Sequence, residues 1–134
     1  MDSTTQPRGA DVGVVTVDDQ AHFRCAAGDV IAATPGFTTV GEASSGQEAL
    51  AIMESAAPQL VLLDIRMPEM DGIETARRIK AEHPEVVVVL VTIQGRDEVP
   101  TAASDCGAAA LVYKQEFKPS LLRRIWSEHG PKSD

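Results

Sequence analysis

Asp18 and Asp19 stand side by side where a strongly apolar run, Val12 to Val17, gives out, and three further polar residues close other apolar runs: Asp64, Thr92 and Lys114. Such residues are polar at a strand end simply because strands end in water, but that explains neither the choice of three carboxylates, a hydroxyl and an amine nor their shared edge. Three carboxylates within a few ångströms repel, a pair ~4 Å apart costing on the order of 4 kcal/mol at an effective dielectric near 20. They need a cation. Hard oxygen donors without rigid geometry suit Mg²⁺, which keeps several waters and commonly joins one or two carboxylates to a phosphoryl group. The ion would also lower carboxylate pKa values and neutralise incoming phosphate charge. A hydroxyl and an ammonium donate to phosphoryl oxygens, and a carboxylate is itself a nucleophile toward phosphorus. From the residues upward, the set is suited to forming an aspartyl phosphate.

The elements that must carry these residues alternate. Strand-like runs at Val12 to Val17, Phe37 to Glu42, Leu60 to Leu63, Val86 to Val91 and Ala109 to Tyr113 are separated by helix-period stretches at about 21–33, 46–56, 71–82 and 97–105, with a last helix at about 119–128. Pro35 with Gly36, Pro58, Pro84 and Gly107 each fall just before a strand, where a helix must stop. Ser45 and Glu48 form a capping-box signature ahead of the apolar face Ala49, Leu50 and Met53. Pro100 falls in a short alanine-rich helix, which is expected to be among the less stable elements. A (βα)5 rhythm implies a doubly wound five-stranded parallel sheet with helices on both faces. The strands at 12–17 and 86–91, the richest in unbroken apolar residues, fit central positions buried on both sides. Ligands in such folds bind outside the carboxyl ends of the strands, which is where the five polar residues lie.

Composition bounds the rest. A length of 134 residues fits one domain, 43% hydrophobic and 24% charged residues fit a globular chain, and 4% aromatic content predicts a core of Val, Leu, Ile and Ala. A formal charge of −8 argues against direct nucleic-acid binding, which needs clustered Lys and Arg. No apolar run approaches the ~20 residues of a membrane span and the first eleven residues lack a signal-peptide core, so a cytoplasmic protein without membrane insertion is expected. Residues 1–11 and 129–134 are read as flexible ends around a domain over 12–128. Cys25 and Cys106 lack metal-like spacing and read as reduced helix thiols. His22, His83 and His129 are scattered and read as solvent-facing, Arg77, Arg78 and Lys80 as a solvated face, and Leu121, Leu122, Ile125 and Trp126 chiefly as core.

VDDQAHFR (17–24), GEASSGQEAL (41–50), LVLLDIRMPEMDGIE (60–74), VVVLVT (87–92) and CGAAALVYK (106–114) together resemble the receiver domain of two-component response regulators, over about residues 12–128. The flavour is that of the receivers that precede a LuxR-type (NarL-type) helix-turn-helix, here expected to stand without an attached effector domain. The resemblance implies a flavodoxin-like sheet of strand order 2-1-3-4-5. It implies Asp64 as the phosphoacceptor from a sensor histidine kinase, and Asp18, Asp19, Asp64 and the backbone carbonyl of Arg66 as Mg²⁺ ligands. Thr92 and Lys114 would stabilise the phosphoryl group. Output would pass through protein contacts of the 96–128 face, to a downstream protein partner or to a second copy in a homodimer. The chain is then a single-domain regulator of a phosphorelay, or the receiver part of a longer one, and not an enzyme with an outside substrate.

Two positions depart from the family pattern. Leu111 occupies the place of the Tyr or Phe three residues before the lysine, so the aromatic switch is missing or displaced, and Tyr113 shares its facing. Ile93 follows the threonine where a small residue is usual, which predicts slow or hindered phosphorylation. Both motivate a second reading, a pseudo-receiver acting as a phosphorylation-independent interaction module. Haloacid-dehalogenase-like phosphatases also use a strand-end Asp, but place a second Asp two residues on, where this chain has Arg66. A flavin carrier would need a phosphate loop where the chain has acid.

Overall fold

The computed structural model describes residues 11–67, 70–93, 103 and 105–131. Five parallel strands, β1 (Val12–Val17), β2 (Phe37–Ala43), β3 (Leu60–Asp64), β4 (Val87–Thr92) and β5 (Ala110–Tyr113), form one sheet in the order β2-β1-β3-β4-β5. The described helices are α1 (Ala21–Ala32), α2 (Gly46–Ala56), α3 (Gly72–Glu82) and α4 (Pro119–His129). The helix expected at about 97–105, with Pro100, falls largely outside the described residues, as do residues 1–10 and 132–134.

Strand pleating sorts the core into two layers. Val12, Val14, Leu60, Leu62, Val87, Val89 and Val112 pack against Phe23, Ala27 and Ile31 of α1 and Leu122 and Ile125 of α4. Their neighbours of opposite parity, Val15, Val17, Val61, Leu63, Val88 and Leu90, pack against Ala49 and Met53 of α2 and Ile73, Ala76 and Ile79 of α3. Every residue of β1, β3 and β4 is buried, as strands covered on both faces require, whereas β2 and β5 at the edges are partly exposed. β2 accommodates an irregularity opposite Val14 and Val15, which shifts its register by one residue.

Local chemistry fixes the helix starts. Ser45 Oγ accepts from Glu48 N–H at 3.0 Å, while the Glu48 carboxylate reaches back to the Ser44 N–H and hydroxyl rather than to Ser45, so the reciprocal half of the box falls one residue early. Asp71 is the N-cap of α3, accepting from Glu74 N–H at 3.0 Å, so that helix begins one residue later than the periodicity predicts. Its next residue, Gly72, lies against the end of β3: a β-carbon there would sit 2.1 Å from the Asp64 carbonyl oxygen.

Three expectations are corrected. Cys25 is an exposed thiol of α1, but Cys106 is buried in a bend ahead of β5, with Sγ 3.3 Å from the Ala103 carbonyl. Lys80 does not simply meet solvent with Arg77 and Arg78, which pair with Glu74; its Nζ donates to the carbonyls of Pro84 and Val86 at 2.6 and 2.7 Å and ties the end of α3 to the start of β4. His83 is half-buried at the α3 C-cap, whereas His22 and His129 are exposed.

Candidate functional site

Asp18 follows β1 directly, Asp64 is the last residue of β3, and Lys114 opens a short 3-10 turn (Lys114–Glu116) directly after β5. Because β1 and β3 are neighbours in register, Val17 opposite Leu63, their carboxylates come together at the carboxyl edge. Asp64 continues the parity of Leu60 and Leu62 toward α1 and α4. Asp18, Asp19 and Asp64 each offer an oxygen, and these atoms lie within 4.8 Å of one another.

Asp18 is fully buried. One carboxylate oxygen accepts from Gln20 N–H at 2.8 Å and the other pairs with Lys114 Nζ at 2.6 Å. The same ammonium lies 3.6 Å from Asp64 Oδ2 and 4.7 Å from the centre of the Phe23 ring, so an aromatic face supports the cation from below. Asp64, 6% exposed, also accepts weakly from Arg66 N–H at 3.3 Å. Burial raises the Asp64 carboxyl to about 6, with the Asp18 charge pushing the same way and Lys114 opposing it. Asp19 is the exposed member of the trio.

One ammonium shared by two of three carboxylates leaves the cluster short of positive charge, and its donors are hard oxygens. Both features fit a divalent cation of the Mg²⁺ type, which the three carboxylates are placed to hold. Of the residues singled out by sequence, Asp18, Asp19, Asp64 and Lys114 converge. Arg66 is adjacent through its backbone. Thr92 is buried at the end of β4, opposite Tyr113 in register, and makes no bond to the acids among the described residues. Leu111 is 39% exposed, Tyr113 is half-buried, and Ile93 is partly exposed just past β4; among the described residues Tyr113 makes no hydrogen bond to the acids or to Lys114.

Sequence reasoning missed two residues. Phe23 carries Lys114 and packs against Phe117 with ring centres 6.4 Å apart. Arg24 donates from NH1 to the Asp18 carbonyl at 2.6 Å and from Nε to Glu42 at 3.1 Å. Consecutive on α1, they look in sequence like one apolar and one solvated helix position; only the packing of α1 across β1 turns both toward the edge.

Residues 14–126 match the family model described as the response regulator receiver domain. The response regulator GacA of Pseudomonas viridiflava is 35% identical over 114 residues, covering 85% of this chain and 53% of that protein. Protein-glutamate methylesterase/protein-glutamine glutaminase 4 of Myxococcus xanthus is 39% identical over 102 residues, covering 75% of this chain and 29% of the relative. The chain thus spans about half the length of the first and under a third of the second. Among solved structures, the signal receiver domain of the putative response regulator NarL from Mycobacterium tuberculosis superposes with a TM-score of 0.77 at 27% identity, covering 89% of this chain and 96% of that one.

Proposed function

The chain belongs to the response regulator receiver domain family of two-component signalling, and from that premise we propose that it accepts a phosphoryl group from a sensor histidine kinase on Asp64. The observation that carries this reading is Lys114 Nζ between two buried carboxylates, 2.6 Å from Asp18 and 3.6 Å from Asp64, with Asp19 completing an oxygen cluster.

Asp18, Asp19, Asp64 and the Arg66 carbonyl would hold Mg²⁺, which when bound supplies charge neutralisation for the carboxylates and for phosphoryl oxygens. The Asp64 carboxylate attacks the phosphorus of a phosphohistidine; a P–O bond forms, the P–N bond breaks, and its electron pair returns to the imidazole nitrogen. With a carboxyl titrating at about 6, Asp64 is largely ionised, and so nucleophilic, at neutral pH. Lys114, already within reach of both acids, donates to the transferred group, and Thr92 contributes its hydroxyl from the end of β4. Ile93, beside that hydroxyl in the chain, narrows the donor's approach and slows the reaction.

Output passes through the 96–128 face to a protein partner or a second copy; residues 96–102 and 104 of that face lie outside the described residues. Receiver domains are signalling modules, and this one turns over no outside substrate. Among the described residues no helix is long and apolar enough to cross a membrane, and the cytoplasm is the proposed compartment. The phosphorylation-independent reading is not favoured: it accounts for Leu111 and Ile93 but leaves a complete acid and lysine cluster without a use.

Incubation of Mg²⁺-loaded protein with a small phosphodonor or a phosphorylated kinase should add one phosphoryl mass at Asp64, and none to Asp64→Asn. Absence of labelling by either donor would sink the proposal.

A further inference from the structure

We infer that Arg24 is a positioning residue for the acidic pair, holding the peptide that joins Asp18 to Asp19 so that Asp19 faces the cation; this rests on the Mg²⁺ reading above. The Arg24 side chain is 20% exposed and bridges two strand ends. NH1 donates to the Asp18 carbonyl at 2.6 Å, and Nε donates to Glu42 Oε1 at 3.1 Å. Glu42 lies near the end of β2, opposite Thr16 of β1, so the planar guanidinium spans the gap between the loop after β1 and the neighbouring strand.

The contact bears on Asp19 more than on Asp18. The Asp18 carboxylate is fixed independently, by Lys114 at 2.6 Å and by Gln20 N–H at 2.8 Å. Asp19 is exposed and makes no hydrogen bond or ion pair among the described residues. Its direction is therefore inherited from the backbone, and the carbonyl that fixes that peptide plane is the one Arg24 grips. Residues that orient ligands in this way commonly alter metal affinity about 10–100-fold when removed.

Charge alone predicts the opposite sign. Arg24 is a cation beside an acidic cluster, so deleting it should tighten Mg²⁺ binding if only its field matters. Positioning predicts weakening. The test is calorimetric titration of the full chain with Mg²⁺, for wild type, Arg24→Gln, Arg24→Lys and Glu42→Gln. Arg24→Gln should bind about 10-fold more weakly. Arg24→Lys should fail to restore wild-type affinity, because one ammonium cannot span both acceptors. Glu42→Gln, which frees the outer end of the bridge and leaves the guanidinium in place, should weaken binding to a lesser degree. Unchanged or tighter binding by Arg24→Gln overturns the inference. Should that variant fail to fold, as judged by circular dichroism in EDTA, unaltered affinity in Glu42→Gln overturns it instead. Wild-type protein that binds no Mg²⁺ would refute the site reading itself, whereas wild-type binding matched by the variants refutes only the role of Arg24.

Discussion

Asp64 is held ready at a cost to the fold. Its carboxyl is raised from 3.8 to about 6, chiefly by burial, so the folded chain binds a proton there more tightly than the unfolded chain does. Between those two values the native state carries the extra proton, and stability falls as pH rises. Above pH 6 the penalty is complete; below about pH 4 it vanishes. That difference corresponds to about 2–3 kcal/mol. In EDTA, Asp64→Asn should therefore be more stable than wild type at pH 7 by about 1–3 kcal/mol, the gain shrinking toward zero by pH 4. Urea unfolding at the two pH values measures this, and a pH-independent gain or a loss at pH 7 contradicts it. At this scale the sequence was informative about residue type: Asp18, Asp19, Asp64 and Lys114 could be named from strand ends alone. Phe23 and Arg24 could not, because their roles depend on which face of α1 meets the sheet edge.

At the scale of elements, the site depends on how closely α3 approaches β3. Gly72 N–H donates to the Ile65 carbonyl at 2.9 Å, and a β-carbon on residue 72 would lie 2.1 Å from the Asp64 carbonyl oxygen and 2.8 Å from the Ile65 Cα. These neighbours are backbone and cannot swing away. Gly72→Ala should cost about 1–3 kcal/mol in urea unfolding and, because the most crowded atom is the Asp64 carbonyl oxygen, weaken Mg²⁺ binding as well. Wild-type stability in that variant would show that the turn has room to spare. The strand and helix periods were readable because each uses a repeat of its own, two residues against 3.6. Boundaries moved by a residue where caps decided them, as at Asp71, and the Lys80 ammonium proved to be a tie to β4 because the carbonyls that receive it come from a loop whose path the helix pattern does not encode.

For the whole molecule, the proposed Mg²⁺ site would couple stability to metal. An ion that binds only the folded chain adds RT ln(1 + [L]/Kd), about 2.7 kcal/mol at one hundred times Kd. Melting temperature should rise with Mg²⁺ at pH 7.5, and the rise should shrink at pH 5, where Asp64 takes up a proton that competes with the ion. Scanning calorimetry with Mg²⁺ against EDTA at both values checks this; an equal rise at pH 5 would place the ion elsewhere. The alternation of apolar runs by itself determined the doubly wound sheet, and the polar residues at the strand ends pointed to the proposed class of chemistry, because both are written in local periodicity. Tertiary structure alone decided that Lys114 sits between Asp18 and Asp64, that Phe23 lies beneath it and that Arg24 grips the loop between the two acids. Those contacts join residues tens of positions apart, and their distances are set by strand order and helix packing, which no local pattern contains.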